Sequence, residues 1–428
     1  INGTLDTGEG AGLILNVVDA AHTLDLNSPV VGASSLIIGG AGTVNNLNTI
    51  SSEIEMNSGT LLNNGTGVIS GNITLANAAT LRTDAGGLDN GINVNNGGTL
   101  DISADQSIQN YTSTGTLSGA GSLTADSFAL NGGSVVNSDL LNGDITTNGA
   151  VSITSATAGN LNVASGTTTL TGSNAGNVNI LAAGQLNSAA NTLSDTAAVV
   201  NAGVLNLQGD ETIASYDGRN GTLRGSGALT LGSFRAGIIE TAVNGTESLG
   251  LTVDNGGAAV TLGAGSTLKF DTAAGPVNLL DVFPLFTNTS GIVGDATSIG
   301  FENFDLSALG FDVRAVFDVT TGNIIITSSS FSGNTPNSSA VAAALYGVEA
   351  GAGRITNVNG ISGESQDVLD RLNALATASA TDDVTIQSQL QELSPEVYGS
   401  VADYSLRQHL SYKDAATHAQ YTVRNGTW

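Results

Sequence analysis

The segment Gly115-Thr-Leu-Ser-Gly-Ala-Gly-Ser-Leu-Thr124 returns as Gly221-Thr-Leu-Arg-Gly-Ser-Gly-Ala-Leu-Thr230. The repeat extends upstream, where Asp105-Gln-Ser-Ile-Gln-Asn-Tyr111 matches Asp210-Glu-Thr-Ile-Ala-Ser-Tyr216. The offset is 105 residues, and it becomes 106 after a one-residue insertion in the loop 217–220. A long internal repeat of this kind indicates stacked equivalent units, each of which buries its apolar face on its neighbours.

A shorter pattern runs inside the long repeat. Apolar residues alternate with Asn, Ser and Thr, and a glycine then interrupts, as in Gly71-Asn-Ile-Thr-Leu-Ala76 and Gly176-Asn-Val-Asn-Ile180. Alternation with a period of two places one side chain inside and the next outside, as in a half-buried strand. Helical periodicity is absent from residue 1 to about residue 330. The pattern therefore predicts an all-β region of many short strands.

Three architectures suit many short strands: a sandwich, a propeller and a β-solenoid. A sandwich does not explain the repeat, and a propeller predicts aromatic blade signatures, whereas aromatic residues make up only 4% of this chain. We therefore predict a parallel, right-handed β-helix. If the long repeat holds five coils, each coil has about 21 residues, and Tyr111 and Tyr216 occupy equivalent positions five coils apart. Some 15 coils at ~4.8 Å each predict a rod of roughly 70 Å.

Composition excludes several classes of partner and site. The net charge is −26 and the only lysines are Lys269 and Lys413, which argues against nucleic acid and anionic lipid as partners, because both need clustered basic residues. A solvated acidic surface that opposes aggregation is the simplest interpretation of this charge. The lack of cysteine rules out disulfides, zinc–thiolate sites and cysteine nucleophiles. Since the sequence starts at Ile1 in mid-pattern, we expect a mature chain or a fragment that lacks preceding coils.

The sequence changes character after residue 270. Eight of the ten phenylalanines lie between Phe270 and Phe331, and terminal units of repeat proteins are atypical because they must close an open core edge. We therefore predict coils over residues 1–269 and an aromatic C-terminal β cap over residues 270–330. An aromatic sugar-binding platform is the functional alternative for these phenylalanines.

Residues 331–428 are predicted to form a linker and an α-helical segment. Ser394 can cap a helix that begins with Pro395 and runs to about Thr422, a length of roughly 40 Å. Its charged residues would be rejected by lipid and accepted by a polar, water-filled lumen. Val397, Val401 and Tyr404 form one short apolar stripe. We therefore expect this helix to be mobile unless a barrel or another subunit holds it.

The segment Leu393-Ser-Pro-Glu-Val-Tyr-Gly-Ser-Val401 resembles the "LSPE-Y" segment that precedes the translocator barrel in bacterial autotransporters of the type V secretion system. The stretch Ala340–Leu345 resembles the start of their α-helical linker, and Asn425–Trp428 resembles the approach to the first barrel strand. The Gly-Thr-Leu-x-Gly-x-Gly-x-Leu-Thr lines resemble repeats of their passenger domains. Passenger and linker together would cover nearly the whole chain.

The resemblance implies Sec export, passage through the outer membrane, and display at the bacterial cell surface or secretion. It also implies that residues 331–428 lead into a translocator β-barrel that is absent from this sequence. That barrel would be a partner during export, with Pro395, Val397, Val401 and Tyr404 on the helix inside its lumen.

Sequence motifs nominate no catalytic, cofactor-binding or metal-binding residue, and no cofactor is predicted. The Gly-Asp-Ser-Gly segment of autotransporter serine proteases is missing, and His22 is the only histidine before the linker. Polysaccharide lyases and hydrolases use carboxylate clusters, for which Asp101 and Asp105 are the candidates. However, Asp101 becomes Asn206 in the repeat, and turns favour Asp and Asn for conformational reasons.

The sequence therefore predicts a non-enzymatic surface protein. A repetitive Asn/Thr/Ser face favours a multivalent adhesin that binds a host or bacterial surface glycan or protein, or a protein that associates with itself. One alternative is a structural subunit of an extracellular filament, sheath or biofilm matrix. Another is a β-helical carbohydrate-active enzyme, an expectation that rests on fold analogy alone.

Overall fold

The computed structural model describes residues 5–6, 12–32, 35–84, 87–242, 252–271, 282–287, 289–293, 298–302, 313–318 and 323–328. Within these ranges the chain contains only β-strands, turns and irregular segments. No helix in the part of the chain described here is long and apolar enough to cross a membrane.

The strands are short and follow one another closely along the chain. Their bounds are β1 Leu5–Asp6, β2 Leu13–Val17, β3 Thr23–Leu26, β4 Val30–Val31, β5 Leu36–Gly40, β6 Thr43–Asn46, β7 Thr49–Ile50, β8 Ile54–Asn63, β9 Val68–Ile69, β10 Ile73–Thr83, β11 Gly87–Leu88, β12 Asn93–Asn96, β13 Thr99–Ile102, β14 Gln106–Ser113, β15 Thr116–Ser118, β16 Leu123–Leu130, β17 Val135–Asn137, β18 Leu140–Asn148, β19 Val151–Ile153, β20 Ala156–Thr157, β21 Leu161–Leu170, β22 Val178–Ser188, β23 Ala198–Asn201, β24 Val204–Leu207, β25 Glu211–Ile213, β26 Ser215–Gly225, β27 Ala228–Leu231, β28 Phe234–Ala242, β29 Thr252–Asp254, β30 Val260–Asp271, β31 Val282–Pro284, β32 Phe286–Thr287, β33 Ile292–Val293, β34 Ser298–Glu302, β35 Val313–Asp318 and β36 Asn323–Ser328.

The chain divides into two compact units. The first covers Ile1–Thr241, Leu249–Leu268 and Phe286–Ser298, and the second covers Ala242–Ser248, Lys269–Leu285 and Ile299–Trp428. Among the described residues of the first unit the pairing between successive coils is parallel. In the second unit β31, β35 and β36 form a three-stranded antiparallel sheet.

Parallel pairing between successive turns confirms the predicted β-solenoid. One ladder of inward-pointing residues, which we call the first ladder, passes through thirteen turns in parallel register. Its hydrophobic side chains form a continuous core inside the solenoid. The ladder is Leu13, Leu36, Ile54, Ile73, Val94, Tyr111, Phe128, Ile145, Leu161, Val178, Val199, Tyr216 and Phe234.

Each turn contributes strands to more than one face. Strand β10 shows how a single strand serves two faces, because Ile73–Leu75 pair with β12 and Thr80–Thr83 pair with β13. We call the face that carries the first ladder the first face, and the face that carries Thr80–Thr83 the second face. The short strands β4, β7, β9 and β11 stack as a separate parallel sheet that supplies a third side.

The predicted coil length was wrong. Tyr111 and Tyr216 do lie on the same ladder, but the ladder passes through Phe128, Ile145, Leu161, Val178 and Val199 between them, so the tyrosines are six turns apart. Turns along this ladder therefore have 16 to 23 residues instead of a constant 21. The twelve steps between these thirteen turns, at ~4.8 Å each, give this ladder a length of roughly 58 Å.

The glycines of the repeated motif are explained by the stacking of turns. Gly119 and its counterpart Gly225 have positive φ angles of 114° and 133°. A Cβ atom at either position would lie 1.9 Å from the carbonyl oxygen of Ile102 or Leu207 in the preceding turn. Only glycine permits both this backbone conformation and this close approach.

The repeat also preserves a buried hydrogen-bond network. Asn96 Nδ2 donates to Tyr111 Oη at 2.8 Å and to the Thr116 carbonyl at 2.8 Å. Asn201 Nδ2 makes the equivalent bonds to Tyr216 Oη at 2.9 Å and to the Thr222 carbonyl at 2.8 Å. Both asparagines and both tyrosines are buried. The network satisfies polar groups that would otherwise destabilise the core.

The two buried tyrosines predict a loss of stability at high pH. Burial raises the pKa of Tyr111 from 10.0 to about 12 and raises the pKa of Tyr216 further. Because the folded-state pKa is raised, each buried tyrosine contributes to the stability of the folded state. This contribution is fully present below pH 10 and is lost as the pH rises through 12. For Tyr111 alone the difference corresponds to a loss on the order of 3 kcal/mol. Urea unfolding followed by circular dichroism at pH 9, 10, 11 and 12 measures the loss.

The control is the double variant Tyr111→Phe/Tyr216→Phe. It is less stable at neutral pH, because Asn96 and Asn201 each lose one hydrogen-bond acceptor, at a cost of about 1 kcal/mol each. Its stability falls less between pH 10 and 12, because phenylalanine has no proton to lose. Parallel pH profiles for the two proteins would contradict the assignment.

The regions predicted as cap and linker are described only in part. Phe286, within the predicted cap, is buried against Phe234 with ring centroids 5.6 Å apart, which favours packing over a sugar-binding platform for this phenylalanine. The predicted linker and helix, residues 331–428, lie outside the described residues. The boundaries at residues 269 and 330 therefore stay predictions.

Candidate functional site

A concave groove lies on the first face of the solenoid. It has a volume of about 490 Å³ and is formed by β8, β10, β12 and β14, together with the residues just before them. This volume lies within the range of ordinary ligand pockets. The lining residues are Glu53, Ile54, Glu55, Asn72, Ile73, Thr74, Asn93, Val94, Asn95, Asn110 and Thr112.

Period-two alternation separates the core from the groove in each turn. Ile54, Ile73 and Val94 point inward and are each 1% exposed. The residues before and after each of them point outward, as expected for successive side chains of a strand. The groove therefore has two parallel rows of polar side chains that run from turn to turn. The first row is Glu53, Asn72, Asn93 and Asn110, and the second row is Glu55, Thr74, Asn95 and Thr112.

The first row is ordered by hydrogen bonds between its own side chains. Asn93 Nδ2 donates to Asn72 Oδ1 at 3.2 Å, and Asn110 Nδ2 donates to Asn93 Oδ1 at 2.8 Å. Ser127 in the next turn donates to Asn110 Oδ1 at 2.7 Å. Every amide of the row is therefore held in one orientation before any ligand binds. Such pre-organisation lowers the entropic cost of binding.

The second row is available for hydrogen bonding. Thr74 and Asn95 are exposed and Thr112 is half-buried, and no side-chain hydrogen bond within the described part of the chain involves any of them. Their hydroxyl and amide groups can both donate and accept. Together the rows present fixed polar groups on one side and unpartnered polar groups on the other.

The groove is acidic at one end. Glu53 and Glu55 are exposed, and the ion pairs seen among the described residues lie elsewhere. Arg82, for example, pairs with Asp84 at 3.1 Å, and Arg219 pairs with Asp217 at 2.8 Å, which holds the pKa of that carboxyl below its usual value. The two glutamates therefore give the groove a local negative charge in addition to the net charge of −26.

The candidate catalytic carboxylates Asp101 and Asp105 are held by different partners. Asp101 is on the second face with its Oδ2 3.7 Å from Arg82 Nε, whereas Asp105 Oδ1 accepts a hydrogen bond from the backbone N–H of Ser122 at 2.9 Å. Asp210, the counterpart of Asp105, accepts from the backbone N–H of Ala228 at 2.8 Å. A role in the turns thus explains Asp105 and Asp210.

The remaining candidate residues from the sequence do not form a site among the described residues. His22 is exposed, and its Nδ1 lies 3.0 Å from Asp19 Oδ2. No group of three or more acidic or histidine side chains comes together as if around a metal ion among the residues described. The lumen candidates Pro395, Val397, Val401 and Tyr404 lie outside the described residues.

The groove was missed in the sequence, although a signal for it exists. The triplets Asn72-Ile-Thr74, Asn93-Val-Asn95 and Asn110-Tyr-Thr112 share one pattern, in which a polar pair flanks an inward apolar residue. Asn160-Leu-Asn162 and Asn177-Val-Asn179 continue the pattern in later turns. Aligning these triplets across turns would have placed their polar residues in two rows.

No protein-family model, no curated protein and no solved structure matches the chain.

Proposed function

We propose that the chain is the non-enzymatic passenger of a bacterial autotransporter, displayed on the cell surface or secreted, where it acts as a multivalent adhesin. The observation that carries the proposal is the groove, with its ordered row and its free row of polar side chains. Such a site offers many weak hydrogen bonds along its two rows. Its partners are a surface glycan or protein, or further copies of the chain.

Multivalency makes such a site useful. A single exposed hydrogen bond contributes about 0.5–1.5 kcal/mol, so one groove binds weakly. Beyond a break at Ala129, Asn162 and Asn179 occupy the same outward position in later turns, with Asn179 Nδ2 donating to Asn162 Oδ1 at 3.0 Å. Several chains on one surface raise the effective concentration of these contacts, and the overall avidity then exceeds the affinity of one site.

The autotransporter part of the proposal rests on the LSPE-Y resemblance at residues 393–401 and on the solenoid. The proposal includes a right-handed coil, a cap at residues 270–330 and an α-helical linker at residues 331–428. The antiparallel pairing of β35 and β36 supports a module distinct from the parallel coils. Pro395, Val397, Val401 and Tyr404 would lie in the lumen of the translocator barrel during export.

Removing hydroxyls from the groove is expected to weaken adhesion. Thr74→Val/Thr112→Val keeps the shape and the β-propensity of both side chains but removes two hydrogen-bonding groups from the second row. Beads coated with this variant are expected to be retained about tenfold less than wild-type beads on cultured epithelial cells or on a bacterial biofilm. Counting beads after washing measures the loss.

A matched control lies on the second face. Thr43 and Thr99 are outward-facing threonines in β6 and β13, so Thr43→Val/Thr99→Val tests for a general surface effect. Equal retention of the two double variants would contradict the adhesin proposal. If instead only sedimentation of the chain with itself changes in the groove variant, the alternative of a filament or matrix subunit is favoured.

A further inference from the structure

We propose that the groove binds a linear glycan built of neutral or amino sugars, laid along the solenoid axis between the two rows. The inference rests on the function proposed above and names the ligand class of that same site. Four properties of the groove carry it: its direction, its hydrogen-bonding groups, the lack of an anchor for peptides, and its charge.

The direction of the groove follows from the stacking of turns. Equivalent residues in the rows, such as Thr74 and Asn95, are partners in parallel register, so they recur at ~4.8 Å along the axis. Four turns therefore present polar groups along roughly 14 Å. A ligand that satisfies them must offer polar groups in a line at a short, regular spacing. An unbranched polymer of small polar units has this property.

The amide and hydroxyl side chains of the two rows favour a ligand that carries hydroxyl groups. Amide and hydroxyl side chains both donate and accept hydrogen bonds, and sugar hydroxyls do the same. The ordered amides of Asn72, Asn93 and Asn110 keep lone pairs or N–H groups beyond those used in the row. A glycan can therefore pair with the amides and hydroxyls of both rows.

A peptide finds no anchor in this groove. An added peptide strand needs an open sheet edge, but β10 is paired on both sides, with β8 and with β12. Peptides also depend on pockets for large apolar side chains. The apolar residues beneath the groove, Ile54, Ile73 and Val94, are 1% exposed and fully occupied by core packing.

The charge of the groove restricts the kind of sugar. Glu53 and Glu55 repel uronate or sulfate groups and attract a protonated amine. The net charge of −26 acts in the same direction over longer distances. The groove is therefore expected to bind neutral chains, to prefer chains with free amino groups, and to exclude acidic chains.

Three hexasaccharides of different charge test the inference with the full chain. The probes are hexamers of N-acetylglucosamine (neutral), glucosamine (cationic) and galacturonic acid (anionic), followed by saturation-transfer NMR and by competition with bead retention. We expect binding of the first two, with the glucosamine hexamer about two- to fivefold tighter at low salt, and no binding of the third. Binding of the acidic hexamer as tight as that of the neutral one would overturn the inference.

Two pairs of substitutions separate local charge from net charge. Glu53→Gln/Glu55→Gln is expected to abolish the preference for the glucosamine hexamer and to leave binding of the neutral hexamer within about twofold. Asp126→Asn/Asp195→Asn removes the same charge from exposed positions outside the groove and is expected to keep the preference. Equal effects of the two pairs would overturn the role of the glutamates.

The ligand class and the adhesin function can fail separately. If Thr74→Val/Thr112→Val lowers bead retention but neither the neutral nor the cationic hexamer competes, the function stands and the groove takes a protein ligand. If the hexamers bind yet bead retention is unchanged, the ligand class stands and the adhesin proposal falls. If no hexamer binds and retention is unchanged, both are wrong.

Discussion

Replacing Glu211 with alanine is expected to lower the free energy of unfolding by about 3–5 kcal/mol. The carboxylate is 1% exposed. Its Oε1 accepts hydrogen bonds from Ser188 Oγ at 2.8 Å and from the N–H and hydroxyl of Thr192 at 3.0 and 2.8 Å, and its Oε2 accepts from the Leu193 N–H at 3.1 Å. Alanine would leave the N–H groups of Thr192 and Leu193 without this acceptor, and each unsatisfied buried donor is costly. The hydroxyls of Ser188 and Thr192 would keep each other and the Ala189 carbonyl as partners.

The long repeat supplies the control. Gln106 stands 105 residues earlier at the equivalent position, where its Oε1 accepts from the Leu88 N–H at 2.8 Å. Gln106→Ala is expected to cost about 1–2 kcal/mol. Glu211→Gln should lie between the two alanine variants, because it keeps one acceptor oxygen but places an N–H group near another donor. Urea unfolding at neutral pH gives all three values.

Equal losses for Glu211→Ala and Gln106→Ala would show that these N–H donors do not depend on the carboxylate. Limited proteolysis adds a local readout, because the donors of Thr192 and Leu193 belong to one turn of the chain. Cleavage near residues 189–193 should appear in Glu211→Ala before the rest of the solenoid opens.

Replacing Phe234 with alanine is expected to cost about 3–5 kcal/mol. Phe234 is 1% exposed and lies between two other rings, with centroids 5.4 Å from Tyr216 and 5.6 Å from Phe286. Alanine removes the ring from the centre of this aromatic column and leaves a cavity that the adjacent turns cannot fill. Both ring contacts, each contributing about 0.5–1.5 kcal/mol, are lost with it. Thermal and urea unfolding measure the change.

Phe128→Ala is the matched control, because Phe128 belongs to the same ladder and has one ring neighbour, Tyr111, at 5.9 Å. It should cost about 1 kcal/mol less than Phe234→Ala. Phe234→Leu should recover part of the loss by refilling volume. A smaller loss in Phe234→Ala than in Phe128→Ala would refute a stabilising role for the aromatic column.

The β-solenoid architecture could be predicted from the sequence because stacking places the same demands on residue type at equivalent positions of the repeat. Tyr111 and Tyr216 must both meet an asparagine from the preceding turn, and Gly119 and Gly225 must both approach a carbonyl closely. The tyrosines are 105 residues apart and the glycines 106 residues apart because each pair occupies equivalent environments in the repeat. These constraints point to stacked coils whatever the number of coils between them.

The number of coils could not be predicted in the same way. Turns between strands vary in length, so that Ile73 and Val94 are 21 residues apart while Ile145 and Leu161 are 16 apart. Only the long repeat is regular, and its sequence is compatible with either five or six coils per repeat. Buried polar residues also interrupt the alternation of apolar and polar residues within a coil. Asn96 and Asn201, for example, face the core although asparagine is typical of a surface.

The groove was missed for the same reason, although the polar triplets of its turns are visible in the sequence. Its polar residues come from four turns, and they become neighbours only when the register of each turn is known. Asn72 and Asn93 are 21 residues apart, but Asn93 and Asn110 are 17 apart. Without the register, each asparagine is indistinguishable from the many that serve in turns.

Parallel pairing between neighbouring turns also has a mechanical consequence. The backbone bonds of each turn join only the turn before and the turn after, so force applied along the chain can release one coil without breaking the next. Each released coil of 16 to 23 residues adds about 55–80 Å of extended chain. The solenoid can thus lengthen in small, separate steps. Each step dissipates mechanical work, and the remaining coils stay folded.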